Sequence, residues 1–339
     1  MWRNRGLLMD KTGKFSWSIM NRFLSLLPSM DPDLVIGPMQ GEDAAVIRFK
    51  DGFLVTHVDP ITTGVKKAGY LAVHVASNDI AVRGVTPKWF MPVVLIPRHY
   101  SVEEAEELFS DMGKALSEIH GVAIGGHTEV TPGLDRPIIA MTVIGYTNGR
   151  VISTRDAREG DYVVVIGKIG GEGTGVIAWD FGDKLLGKVP RDVIEHARSF
   201  IYDVSIVKTA LAIKDYVNTM HDATEGGILQ ALREVASASG KDIVVLEKAF
   251  YIDEEVKRIT SAVNVDPLRL LSSGCIVATV TPGYLDSLLN ELKKHGIRHS
   301  VVGRVTRGEG RVIIKGDSGE TITIIDSDIV DEIYKLWNK

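Results

Sequence analysis

The chain has 339 residues, with 39 Lys and Arg against 44 Asp and Glu, a formal net charge of −5 at pH 7. This length and a 45% hydrophobic content suit two domains with a substantial core and exclude wholesale disorder, while the mild acidity excludes the clustered basic footprint that binds a nucleic-acid backbone. Cys275 is the only cysteine, which excludes an internal disulfide and a zinc site of several thiolates and fits a reducing, cytoplasmic setting.

Residues 1–36 read as a leader followed by a helix. The stretch from Met1 to Lys14 carries Arg3, Arg5, Lys11 and Lys14, but its apolar run of Leu7, Leu8 and Met9 is too short for a signal-peptide core. An amphipathic helix is expected over Ile19 to Leu27. No segment approaches the run of about 18 apolar residues that a transmembrane helix requires, so a soluble protein with no membrane or nucleic-acid partner is expected.

A first domain is expected over residues 37–149. Ala44 to Phe49 and Phe53 to Val58 are β-rich runs around Lys50-Asp51-Gly52, whose Asp-Gly pair favours the positive φ angles of a hairpin. Apolar residues recur at helical spacing from Lys66 to Arg83, and Gly84 can take the left-handed position at the helix end. Trp89 to Ile96 reads as a buried strand. Ser101-Val102-Glu103-Glu104 is a capping box, opening a helix that ends near Gly121. Strands follow at Val122 to Ile124 and Pro137 to Ile144, and the cluster Thr147-Asn148-Gly149-Arg150 marks the boundary.

The second domain, 150–339, begins with a strand from Tyr162 to Ile166 and alternates helices near Val204–Val217, Gly227–Ser239 and Tyr284–His295 with strands near Ile243–Leu246 and Cys275–Val280. Pro282 suits the first turn of the third helix and Gly296 its far end. Small glycine-broken hairpins are expected over Val301 to Ile325, then a last helix over Ile329 to Trp337. Both halves are therefore α/β in makeup.

Two motifs fail on their mechanics. Gly173-Thr174-Gly175-Val176-Ile177-Ala178 matches a dinucleotide fingerprint, but Trp179 to Pro190 offers no strand ending in an acid for the ribose, so it reads as a flexible or helix-packing glycine loop. Gly182 to Val189 nearly spells a phosphate loop, yet Val189 has no hydroxyl and Pro190 disfavours a helix start there; a surface turn is expected. Cys275 reads as a small buried hydrophobe, and the nine histidines show no metalloprotease spacing.

Five polar segments place carboxylates or small residues at the edges of apolar elements: Gly41-Glu42-Asp43-Ala44-Ala45, Thr56-His57-Val58-Asp59, Ser77-Asn78-Asp79, Gly125-Gly126-His127-Thr128-Glu129, and His221-Asp222 through Gly227. A carboxylate beside glycine or alanine can meet a hydrated Mg²⁺ without crowding, and paired glycines expose amides to phosphate oxygens. Asp79 is the most telling, because it falls within an apolar helix where a carboxylate needs a cation, hydrogen bonds or an arginine such as Arg83. Taken singly, Asp43, Asp59 and Asp222 read as turn or cap residues ahead of ligands; together the acids suggest a metal–nucleotide site.

In this order the segments resemble the superfamily of aminoimidazole ribonucleotide synthetase, which also contains selenophosphate synthetase, thiamine-monophosphate kinase and the hydrogenase maturation protein of the HypE type. The similarity runs from about Gly37 to Gly303 and includes Ala81-Val82-Arg83-Gly84 after Asn78-Asp79. It implies a PurM-like N-terminal domain whose strands build a β-barrel shared with a second subunit, and a PurM-like C-terminal α/β domain. It also implies ATP in a cleft near the dimer interface, with Mg²⁺ ligands corresponding to Asp43, Asp79 and Asp222. Asp59 matches a further acid near the metals and Asn78 accompanies it in the nucleotide site, while Gly125, Gly126, His127 and Thr128 match the segment lining the triphosphate. His127 either bonds a phosphate oxygen or buttresses the loop.

The shared chemistry is attack of an amide-type oxygen or another nucleophile on a phosphoryl group of Mg·ATP, which demands charge neutralisation and in-line positioning. A small-molecule substrate, a homodimer and a maturation-protein partner follow from the resemblance; no residue stands out as the catalytic one. The terminal cysteine of the HypE type has no counterpart in Tyr334 to Lys339, and the reactive cysteine of selenophosphate synthetase has none near the amino terminus. A HypE-like enzyme without the thiol is expected, with a thiamine-monophosphate kinase-like phosphotransferase or a nucleotide-binding assembly factor as alternatives.

Overall fold

The computed structural model describes residues 17–28, 31–62 and 65–337; the expected leader over Met1 to Lys14 lies outside the described residues. Helix α1 (Trp17–Leu24) precedes strands β1 (Leu34–Ile36), β2 (Ala45–Phe49) and β3 (Gly52–Ile61). The β2–β3 hairpin forms where expected, with Lys50 at φ 54° and Phe49 opposite Gly52. Helix α2 (Ala68–Ala81), strand β4 (Pro87–Pro97), helix α3 (Val102–Glu118), and strands β5 (Val122–Ala123), β6 (His127–Thr131) and β7 (Ile138–Thr147) complete this half. Its sheet runs β1-β2-β3-β7-β4-β5, and β6 also pairs with β4.

Ser101 closes the expected capping box at the head of α3: its hydroxyl accepts from the Glu104 amide at 3.1 Å, and its own amide donates to the Glu104 carboxylate at 2.7 Å. Every residue of α2 is buried, as an all-round apolar helix requires. It packs on β3, β7 and α3 and reaches the second half as well. Each such Leu or Ile contributes about 1.5–3 kcal/mol by leaving water, so the helix that carries Asp79 is held from several sides.

The second half consists of β8 (Tyr162–Ile166), α4 (Gly171–Asp180), α5 (Gly182–Leu185), α6 (Arg191–Arg198), α7 (Val207–Ile213), β9 (Thr219–Ala223), α8 (Gly227–Ser239), β10 (Asp242–Leu246), α9 (Glu254–Val263), β11 (Ser272–Val280), α10 (Leu285–Lys294), β12 (His299–Thr306), β13 (Val312–Lys315), β14 (Thr321–Ile325) and α11 (Tyr334–Trp337). The strand order is β14-β13-β10-β12-β8-β11-β9. The fold is mixed α/β in both halves, as expected, with predominantly antiparallel strands and parallel pairs at β4–β5, β4–β6 and β10–β13.

Three expectations are corrected. The Gly173–Ala178 stretch is not a loop but part of helix α4, where a Cβ on Gly173 would stand 2.3 Å from Leu270 and one on Gly175 2.7 Å from Ile201; the glycines admit close packing. The last helix is only the turn Tyr334–Trp337, because Asp331 accepts from the amides of Gly226 and Ile333 and holds the preceding chain against the β9–α8 loop. Finally, β13 runs parallel to β10 and forms a hairpin only with β14.

Candidate functional site: an acidic cleft between the two sheets

Five segments bring carboxylates to one cleft of about 390 Å³. The turn before β2 supplies Glu42 and Asp43, β3 supplies His57 and Asp59, α2 supplies Asp79, and β9 with α8 supplies His221, Asp222 and Glu234. His57 and Asp59 are two apart on a strand and so share a face. Trp17 and Met20 of α1 also line the cleft. Asp43 and Asp79 in the first half and Asp222, well over a hundred residues further on, thus converge, and Asp59 joins them.

The ligand-type atoms fall into two groups, Asp43–His221–Asp222 and His57–Asp59–Asp79, each with its atoms within 4.8 Å of one another. His57 Nε2 lies 3.4 Å from Asp79 Oδ2. Carboxylate oxygens dominate both groups, a donor chemistry that suits a hard divalent cation.

A wholly buried arginine underlies the first group. Arg83 Nη1 donates to Glu42 at 2.6 Å and to the Ile152 carbonyl at 3.1 Å, and its Nη2 donates to Asp43 and, at 2.7 Å, to the Thr154 hydroxyl. Glu42 also accepts from the Ser153 hydroxyl and from Arg155 Nε. His221 is held between Asp43 at Nδ1 and Glu234 at Nε2, the latter at 2.7 Å. Burial alone would raise the Asp43 carboxyl, but Arg83 and His221 outweigh it and keep it ionised below its usual range. Burial likewise works against charge on His221, yet Asp43 and Glu234 prevail and push it up to about 10.

Asn78 and the glycine segment lie elsewhere. The Asn78 side chain is fully buried beneath the cleft; it donates to the Val204 and Ser273 carbonyls, both at 2.9 Å, and accepts from the Ile206 amide at 3.0 Å. It pins α2 to the second half. Gly125, Gly126, His127 and Thr128 lead into edge strand β6 and line a separate, mainly apolar cavity of about 390 Å³ with Phe90, Pro92, Phe109 and Met112. Within one chain the structure does not bring them to the acids.

Sequence reasoning gave no role to His57, His221, Glu234 or the Arg83–Glu42 pair. Isolated histidines carry no spacing signal, although His221 adjoins Asp222 in a strand that is buried throughout. Cys275 is buried, as expected, and burial raises its thiol far above the range of a reactive thiolate.

Fold and cleft together define a two-sheet α/β protein with acids gathered from both sheets. The chain belongs to the AIR synthase related protein family: the family's N-terminal domain matches residues 41–147 and its C-terminal domain residues 158–315. It is 29% identical over 310 residues to a putative hydrogenase expression/formation protein of Methanocaldococcus jannaschii, covering 89% of this chain and 90% of that one. Identity to the carbamoyl dehydratase HypE of Rhizobium leguminosarum bv. viciae is 28% over 265 residues, covering 75% and 72%. Identity to the thiamine-monophosphate kinase of Pyrococcus horikoshii is 25% over 297 residues, covering 84% and 89%. Among solved structures, a HypE–HypF complex matches with a TM-score of 0.72 at 25% identity, covering 86% of this chain and 93% of that one. A HypE in complex with ATP matches with a TM-score of 0.68 at 23% identity, covering 88% and 92%. Among the described residues no helix is long and apolar enough to cross a membrane.

Proposed function

We propose that this chain is an ATP- and Mg²⁺-dependent enzyme that activates a small-molecule or amide-type substrate by phosphoryl transfer from ATP. The observation that carries the reading is the convergence of Asp43, Asp59, Asp79 and Asp222 from both halves on one cleft. Relatives named carbamoyl dehydratase and thiamine-monophosphate kinase, and the matching HypE that holds ATP, support it. A bound divalent cation would supply neutralisation of phosphate charge, the chief demand of such a transition state. The protein's part is to fix the acids on a strand, a buried helix and a second sheet so that the donor set does not reorganise.

In this reading Gly125, Gly126, His127 and Thr128 line the triphosphate from the edge of the first sheet. Because they stand apart from the acids within one chain, the reading requires a homodimer in which a second copy brings this segment to the cleft. A maturation-protein partner is the second reading, favoured by the hydrogenase expression/formation relative and by the HypE that is complexed with HypF. In that case the nucleotide changes the shape of the protein and no chemistry follows.

Asp79→Asn tests the leading reading. It is expected to abolish ATP turnover, followed as ADP release with Mg²⁺ and candidate carbamoyl or phosphate-ester substrates, while circular dichroism stays that of the folded protein. Unchanged turnover in the variant would remove the metal role, and wild-type release no faster than the blank would favour the assembly-factor reading.

A further inference from the structure

Residues 329–334, which follow β14, supply none of the side chains that line the acidic cleft, yet they lie against the turn between β9 and α8, beside Asp222 and Thr224, which do line it. That turn ends on Gly226 and Gly227, with φ of 81° and 63°. Glycine permits such angles without enforcing them, so the conformation is chosen by what surrounds it. On one side a Cβ on Gly227 would stand 2.6 Å from the Leu270 carbonyl oxygen, and on the other a Cβ on Gly226 would stand 2.9 Å from that of Ile329. Glu332 ties the two sides together, its amide donating to the Arg269 carbonyl at 3.1 Å.

Three sets of hydrogen bonds join this segment to the cleft. Asp331, 3% exposed, accepts from the Gly226 amide on Oδ2 at 2.7 Å and from the Ile333 amide on Oδ1 at 2.8 Å, so both oxygens serve the turn and the segment at once. The Tyr334 hydroxyl donates to Glu225 at 2.7 Å. The Ile329 amide donates to Gln230 Oε1 at 2.8 Å, Gln230 Nε2 donates to Glu234 at 3.1 Å, and Glu234 meets His221 Nε2 at 2.7 Å, whose Nδ1 meets Asp43. A chain of polar contacts thus runs from the C-terminal segment to the floor of the cleft. Buried networks whose members are paired hold one geometry, and groups behind a site tune the affinity of the residues they brace.

We propose that residues 329–334 are a positioning strap for the cleft. Asp331 and Tyr334 fix the turn after Asp222, and the Ile329 amide fixes Gln230 and, through Glu234, the His221 ring. Affinity for the ligand of the cleft therefore depends on side chains that do not touch it. This deepens the proposed function and rests on its reading of the cleft as a nucleotide site.

The probe is Mg·ATP, titrated calorimetrically into the full-length protein well below its melting temperature. Asp331→Asn can satisfy only one of the two amides, because its Nδ2 donates, and should weaken binding about tenfold. Tyr334→Phe and Gln230→Met, which keep the volume and remove one bonding group, should each weaken it about threefold. Hydrogen exchange over residues 224–230 should quicken in the same variants. Lys335→Ala, which removes only an exposed partner of Glu332, should bind as the wild type does. A segment with a merely structural role would lower the melting temperature and leave the affinity unchanged, and that result in Asp331→Asn and Tyr334→Phe would overturn the strap while the proposed function stands. An equal loss in Lys335→Ala would overturn it too. If Asp331→Asn does not fold, Tyr334→Phe and Gln230→Met decide, and wild-type affinity in both overturns the proposal. No binding of Mg·ATP by the wild type would overturn the nucleotide reading of the cleft and the strap with it, which separates the two failures.

Discussion

The acidic cleft and the Gly125–Thr128 cavity have similar volumes but are built in opposite ways. Around the cleft, charged side chains are buried and paired across both halves, with Arg83 and Asp43 less than a tenth exposed. Around the cavity the walls are Phe90, Phe109 and Met112, and the polar segment at its mouth, including His127 beside Glu129, is exposed on an edge strand. The acids of the cleft come together within one chain, whereas among the described residues β6 pairs only with β4 and lies at a sheet edge, where backbone groups are open to another strand. The contrast teaches that residues adjacent in a motif-based reading of one ligand site need not be adjacent in one copy of the fold.

The largest expected effect tests the claim that the cleft is the tightly coupled region. Arg83→Met removes the cation that serves Glu42 and Asp43 and leaves buried carboxylates short of a partner, which should cost about 3–5 kcal/mol in urea denaturation. His127→Ala, at an exposed position, should change the same midpoint by no more than about 0.5 kcal/mol. Comparable losses in the two variants would mean that the cleft is no more tightly coupled to the fold than the exposed edge strand.

This difference also explains what could be read from the sequence. The acids were visible because each interrupts an apolar pattern beside a glycine or alanine, and the buried helix around Asp79 made its carboxylate conspicuous. Arg83, one of the possible partners of Asp79, serves other carboxylates for a geometric reason. Asp79 and Arg83 are four residues apart, a spacing that faces them on a helix, but α2 ends at Ala81 and the following turn carries Arg83 away to Glu42 and Asp43. His221 and Glu234 meet only because β9 and α8 are packed together, a tertiary fact with no periodic signature. Helix α4 was missed because three glycines lower helix propensity, and only the closeness of Leu270 and Ile201 makes them the residues that fit. The capping box at Ser101 was legible in full, since all its parts lie within four residues.

A smaller effect probes the cleft side through pH. Burial, opposed by the amides of Gly226 and Ile333 that donate to it and reinforced by Glu225 and Glu172, raises the Asp331 carboxyl from an ordinary 3.8 to about 7. The folded protein therefore retains a proton that the unfolded chain has lost across that window. Stability from this group is greatest at the acid end, falls as pH rises from about 4 to 7 and then levels, with a slope of at most about 1.4 kcal/mol per pH unit. Asp331→Asn should flatten the decline in melting experiments run across the window. An unchanged profile would mean that the clamp on the β9–α8 loop does not titrate there.

The smallest effect belongs to the cavity side and asks whether the two regions are energetically separate. Ser101→Ala removes the acceptor for the Glu104 amide at the start of α3, the helix that supplies Phe109 and Met112 to the cavity wall. Loss of an N-cap of this kind costs about 1 kcal/mol, and because the site lies at an exposed helix end, the loss should appear in the urea midpoint with little change in its slope. Changes at sites well separated and without shared partners add nearly independently. Mg²⁺ affinity at the cleft should therefore be the same in Ser101→Ala as in the wild type, and the double variant with Arg83→Met should lose the sum of the two single losses. A cation affinity that falls with the cap would show that α3 transmits to α2 and thence to Asp79, and the division between a closed cleft and an open cavity would have to be redrawn around the α2–α3 contact.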